Sequence, residues 1–356
     1  MFSWERKRDS SGCSPFVTSW KAGTLAGKME ILRVEDASLW DAFALSSPQG
    51  TVFSTSVWIQ AAARTQGGKP VFLGIFENGK PAAGVSFVEL ARGPFKKATT
   101  PVLTPYGGIL YRPFPGMRES EAESFNHSCA GLIIEYLRKR YDQVFLVNSP
   151  GLGDVRPFSW NGFACTVQYT YILDIENPDK LWERMERRVR TVIRNAEASL
   201  FLEGPVSAEQ FGDLYEHTYS DRGNKPPVNR SMVVKMVEAV MNAGMGGMRT
   251  VRDGDGKMLA AMIFTEDARR VYAWVSGVIP AFNHTGASSL LFWDAARSHS
   301  GDNTCLDLVG ANLRTVSFFK KGFGGALTPY YTAERYSSWV THALFSFYSR
   351  LNKVVR

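Results

Sequence analysis

Four groups of residues in this chain have types and spacings suited to chemistry. Asp307 sits in Cys305-Leu306-Asp307-Leu308-Val309-Gly310, an acid inside an apolar strand just ahead of a glycine turn. A carboxylate there can orient an amine and receive its proton, or it can cap Ala311, Asn312 or Leu313 at the next helix start. Lys320 and Lys321 stand beside Gly322-Phe323-Gly324-Gly325. A lysine in a tight glycine turn can neutralise a phosphate or a developing oxyanion, and two lysines at a helix C-terminus also complement its dipole. Val278 to Ala287 joins a strand to a helix, and Gly286 lets the backbone approach an anion held by the free N–H groups of that helix start. Finally, Arg184, Arg187, Arg188, Arg190 and Arg194 lie on one helical segment. Arg187, Arg190 and Arg194 share a face, which is either a solvated surface diluted by Glu183, Glu186 and Glu197 or a phosphate-binding strip. Tyr169 with Tyr171, and Tyr272 with Trp274, are two-residue pairs that each point to one side of a strand and can line a pocket or pack in a core.

Other chemistries find no support. The five histidines show no metal-ligand spacing, so no metal site is expected, and there is no nucleophile elbow or Walker loop. The four cysteines, Cys13, Cys129, Cys165 and Cys305, are too dispersed for a disulfide framework. The N-terminal segment is charged with no apolar run behind it, so a signal peptide is not expected. No stretch approaches a membrane span, and a cytoplasmic setting is expected. The formal charge of +7 suits an anionic small molecule or RNA, without a concentrated basic arm.

The elements that must position these groups follow from periodicity. The length, 356 residues, suggests two domains. Residues 1–28 read as a poorly ordered tail. In 29–160 a strand, two short helices, a hairpin closed by Asn78-Gly79, an irregular stretch from Thr100 to Tyr111, a helix ending at Arg140 and a strand at Val144 to Val147 describe a mixed α/β domain. After a boundary near Pro157 to Asn161 a similar order returns over 161–337. It comprises a strand to Asp174, one long helix from Pro178 to Ser199, further helices, a hairpin through Asp253-Gly254-Asp255-Gly256, a strand from Arg270, a helix from Gly286, a strand at Thr304 to Leu308, a short helix to Lys321 and a closing strand. Residues 338–356 read as a final helix.

Taken together, the Tyr169-Thr170-Tyr171-Ile172-Leu173-Asp174 strand, the Val189 to Glu197 helix, Tyr272-Ala273-Trp274-Val275-Ser276-Gly277, the Leu306 to Ala311 turn, Phe319 to Gly325 and the Thr104 to Gly108 stretch resemble the FemAB-type branch of the GNAT superfamily, especially its BioF2-like or CelD-like acetyltransferase domains. The resemblance implies tandem GNAT-like acyl-coenzyme A N-acyltransferase domains, the first degenerate. It places acetyl-coenzyme A, or another acyl-coenzyme A co-substrate, along Trp274 and Val275, with its pyrophosphate at Asn283, Thr285, Gly286 and Ala287. That loop departs from the superfamily pattern of a basic residue ahead of spaced glycines. No tightly bound cofactor is implied. Direct attack by an amine on the acyl carbonyl is implied, with Lys320 or backbone N–H groups at the oxyanion and Asp307, Tyr272 or water taking the proton. Tyr106, Tyr169, Arg190, Arg194 and Lys321 would bind the acceptor, an amine of a small molecule or cell-envelope precursor, in the groove between the halves. The peptidoglycan-building members instead use aminoacyl-tRNA, and a descendant serving as a binding or scaffold module is the third reading.

Overall fold

The computed structural model describes residues 29–220, 223–301 and 304–343; the expected N-terminal tail and most of the expected C-terminal helix lie outside these. The first half runs β1 (Met29–Arg33), α1 (Ala37–Ser46), α2 (Ser56–Gln66), β2 (Lys69–Glu77), β3 (Lys80–Arg92), β4 (Phe95–Thr99), β5 (Gly108–Tyr111), α3 (Glu119–Arg140), β6 (Gln143–Val147) and α4 (Arg156–Trp160). The second runs β7 (Ala164–Asp174), α5 (Pro178–Arg184), α6 (Arg187–Ser199), β8 (Phe201–Glu203), α7 (Ala208–Ser220), α8 (Arg230–Asn242), β9 (Gly246–Arg252), β10 (Met258–Asp267), β11 (Arg270–Val278), α9 (Ala287–Ser298), β12 (Cys305–Asp307), α10 (Arg314–Lys321) and β13 (Ala326–Tyr336).

Local chemistry explains many boundaries. Asn78 and Gly79 adopt φ of 50° and 79°, the left-handed pair that a tight β2–β3 hairpin requires. Asp36, Thr55, Asn177 and Asn229 accept backbone N–H groups at the starts of α1, α2, α5 and α8. Two expectations are corrected. Pro178 to Ser199 is not one helix. Met185 and Glu186 turn extended between α5 and α6, because the Glu186 N–H leaves the helical ladder to donate to the Gly322 carbonyl, 2.9 Å away. The apolar spacing runs through the break unbroken, since Leu181, Met185, Val189 and Ile193 all enter one core. The irregular Thr100 to Tyr111 stretch ends in a strand, β5, which pairs with β3.

Among the described residues all strands join one mixed sheet in the order β1-β2-β3-β4-β6-β13-β7-β12-β11-β10-β9-β8, with β5 beside β3. In the first half an antiparallel β2-β3-β4 meander is followed by α3 and then by β6, parallel to β4. In the second, β9-β10-β11 is followed by α9 and then β12, parallel to β11. β13 ties the halves together, pairing with β7 over most of its length and with β6 from Thr332 to Tyr336. A shared apolar core does the same: Phe53, Trp58 and Ala62 from the first half are buried with Phe211, Val237, Tyr272 and Trp274 from the second.

Candidate active site

β12 lies between β7 and β11, and the last parallel pair on the β11 side is Tyr272 opposite Asp307. Beyond it the chain stays with β7, through Leu308 N–H to Tyr171 O and Ala311 N–H to Tyr169 O, while β11 continues beside β10 alone. A gap opens between the two strands. The first half reaches into it: Trp274 Nε1 donates to Leu103 O at 2.7 Å, and the Tyr106 hydroxyl donates to Asp307 Oδ2 at 3.0 Å.

Asp307 is fully buried. Its carboxylate also accepts from Thr170 Oγ1 (2.6 Å) and the Val309 N–H (2.8 Å), and Arg270 NH1 stands 3.6 Å away. Burial pushes its pKa up, while Thr170, the Val309 N–H, the Arg270 charge and Tyr106 oppose the shift. Asp307 therefore tightens its own turn and does not cap the following helix, whose N-cap residue Leu313 offers no side-chain acceptor.

Lys320 is 9% exposed, and its Nζ donates to three carbonyls in a row, Leu308 (2.5 Å), Val309 (2.6 Å) and Gly310 (2.7 Å). An ammonium has three N–H groups, and this turn takes all of them. Val309 sits at φ 51°, a costly setting for a β-branched residue, and Gly310 follows at 74°. The lysine clamps that strained turn. Burial lowers its pKa to about 8, with the Asp307 charge opposing.

Of the three residues expected to be catalytic, Asp307 and Lys320 thus share one turn. Tyr272 stands opposite Asp307 in the sheet, but its hydroxyl donates to Asp267 (2.8 Å), and burial raises its pKa well above the ordinary phenol value. Tyr106, expected to meet the acceptor, is fully buried and links the halves through Asp307. Trp274 is buried edge-on against Trp58, with Val275 half-buried beside it. Tyr169 is partly exposed, its N–H held by Asn312. Arg194 lies over the Trp182 ring at 5.4 Å, Lys321 is exposed, and Arg190 has no carboxylate partner among the described residues; none of the three bonds to the Asp307 cluster. Sequence reasoning missed Arg270 and Thr170 as Asp307 partners, since no local pattern links residues 37 and 137 positions apart.

Gly286 begins α9 at φ 84°, and α6 packs onto it. A Cβ there would lie 2.7 Å from Val192 Cγ1 and 3.0 Å from Val192 O. Ala287 is buried, Asn283 is exposed, and the Thr285 hydroxyl donates to Phe282 O. The helix start is closed on the α6 side. Elsewhere Glu123, His127 and Asp154 bring possible metal ligands within 4.8 Å of one another, but Arg156 donates to both carboxylates (2.6 and 2.9 Å) and occupies them.

Residues 182–321 match the family model for an acetyltransferase (GNAT) domain. No curated protein matches the chain. The fold is similar to the crystal structure of FemX, with a TM-score of 0.64 at 14% identity over 85% of this chain and 96% of that one. It is similar to a conserved protein of unknown function from Bacteroides thetaiotaomicron (0.57, 11%, 84% and 96%) and to the C-terminal domain of a putative lysylphosphatidylglycerol synthetase from Agrobacterium fabrum (0.51, 14%, 87% and 94%). The mixed sheet and the gap after Tyr272 and Asp307 lie within or beside the region, residues 182–321, that matches the acetyltransferase (GNAT) domain. This chain has the FemX-like arrangement. No helix among the described residues is long and apolar enough to cross a membrane.

Proposed function

We propose that the acyl group arrives as an aminoacyl ester on tRNA and that the acceptor is an amine of a small molecule or cell-envelope precursor. The carrying observation is the covered side of the α9 start. A coenzyme A pyrophosphate needs free N–H groups and room at that helix end, and here Val192 of α6 lies against one side of Gly286 and narrows that room. The likeness to FemX over nearly the whole of both chains supports the same reading, as does the FemAB-like Phe319 to Gly325 turn with Lys320 inside it. In this reading the halves are a duplicated GNAT unit, divided near residue 160, and only the second keeps the open strand pair.

Chemically, the acceptor nitrogen attacks the ester carbonyl, the bond to the ribose oxygen breaks, and the amine proton leaves to solvent or to the departing oxygen. Alignment supplies most of the rate. Lys320 acts by holding the Leu308 to Gly310 turn and by placing positive charge beside the carbonyl that becomes an oxyanion. Asp307, buried and bonded on all sides, holds the same turn from beneath.

Binding decides between donors. Filter retention of charged against deacylated tRNA is measured beside calorimetry with acetyl-coenzyme A. Preference for charged tRNA, with no saturable heat from the coenzyme, supports this reading; saturable coenzyme binding without that preference reverses it.

A further inference from the structure

A second feature lies at the opposite, N-terminal end of β11, away from the α9 start. Loops 48–51 and 149–151 of the first half meet residues 267–272 of the second around a cleft of about 70 Å³. That is room for one small polar group. Two of its lining residues have unused hydrogen-bonding capacity. The Arg270 side chain is 27% exposed, and its ion partner Asp307 is 3.6 Å away and already holds three hydrogen bonds from other groups. The Arg270 guanidinium makes no hydrogen bond among the described residues, although it carries five donors. Thr51 is 4% exposed, and its hydroxyl oxygen has no partner among the described residues. Buried polar groups are ordinarily paired, so each such exception calls for a cause.

The other charged groups around the cleft are already engaged. Asp267 accepts from the Arg269 N–H (3.0 Å), the Val52 N–H (3.1 Å) and the Tyr272 hydroxyl (2.8 Å). Arg269 donates to the Leu45, Ser47 and Gly50 carbonyls and so fastens the loop that forms one wall. With two arginines and one carboxylate, the lining carries a net positive charge. Its position between the halves is where ligand pockets concentrate.

We propose that this cleft binds one small anionic group, a carboxylate or a phosphate, with Arg270 as its charge partner and the Thr51 hydroxyl as a neutral donor. The site is separate from the transfer centre but adjoins it, because Arg270 also faces Asp307. Occupancy would draw the guanidinium toward the ligand and change the field at the Lys320-clamped turn.

The test is calorimetric titration of the full chain with sodium phosphate and with sodium acetate, each at ionic strength fixed by sodium chloride. Saturable single-site binding of either anion is expected. Phosphate alone identifies a phosphate ester as ligand, and acetate alone a carboxylate. Arg270→Gln is expected to weaken binding about tenfold, the size of a lost charge-assisted contact. Thr51→Val, which removes an unpaired hydroxyl and leaves the fold intact, is expected to weaken it about threefold. Should Arg270→Gln fail to fold, Arg270→Lys and Thr51→Val carry the comparison. Absence of saturable binding, or wild-type affinity in both folded variants, overturns the proposal. Neither result depends on the donor, so this reading and that of the transfer reaction fail separately.

Discussion

Lys320 holds its turn together, and the proposed reaction would draw on the same side chain. Three carbonyls converge on its Nζ within a turn whose Val309 has a strained φ. Lys320→Met leaves those acceptors without a donor and is expected to cost about 2–4 kcal/mol, measured by urea unfolding, with loss of transfer activity. Lys320→Arg does not restore it, because a planar fork cannot point at three converging oxygens. The pH dependence has a definite sign. The folded pKa, about 8, lies below the ordinary 10.5, so between these values the unfolded chain binds more protons and stability rises with pH. The contribution is up to about 1.4 kcal/mol per pH unit in that window. It is absent from Lys320→Met, as unfolding curves of both proteins at pH 8 and pH 10 will show. Asp307→Ala removes both acceptor oxygens, leaving Thr170, Tyr106 and the partly buried Arg270 charge without a partner, whereas Asp307→Asn keeps one acceptor oxygen for Thr170 and an amide that the Tyr106 hydroxyl can turn to accept from. The alanine variant is expected to lose about 3–5 kcal/mol and the asparagine variant distinctly less.

At the scale of elements, the packing of α6 on α9 covers one side of the α9 start. Gly286 is needed twice, for its φ of 84° and for its approach to Val192. Gly286→Ala is expected to lower stability by about 2–3 kcal/mol. Adding Val192→Ala removes the side-chain clash but not the backbone one at Val192 O, so the double variant recovers part of the loss; thermal unfolding of the three proteins measures it. Full additivity would mean that α6 does not press on the α9 start. The break between α5 and α6 belongs to the same arrangement, since the Glu186 N–H to Gly322 O bond anchors the turn that carries Lys320.

For the whole molecule, one sheet and one shared core make the halves interdependent. β13, last among the described strands, pairs with β6 of the first half, and Phe53 and Trp58 pack with Tyr272 and Trp274. Unfolding followed by tryptophan fluorescence and by far-UV circular dichroism is therefore expected to give coincident curves, and a fragment spanning 29–160 is not expected to fold alone. The Tyr106 to Asp307 bond is one measurable link across the junction. A double-mutant cycle of Tyr106→Phe with Asp307→Asn is expected to show coupling of about 1–2 kcal/mol, and a value near zero would remove it from the account.

By itself the sequence determined the local structure: the mixed α/β character, the Asn78-Gly79 hairpin and the strand, turn and helix around Asp307 and Lys320. These follow from propensity, turn chemistry and periodicity over a few residues. Periodicity reports that a face is buried, not what buries it, so it ran unbroken through Met185 and Glu186 and hid the divided helix. It also could not show that Lys320 points at carbonyls, that α6 covers Gly286, or that Arg270 faces both Asp307 and a cleft built by the other half. Tyr106 and Asp307 lie 201 residues apart. Their pairing, like that of β13 with β6, exists only once the whole sheet has closed, because hydrogen bonds between distant segments depend on tertiary register and leave no local signal.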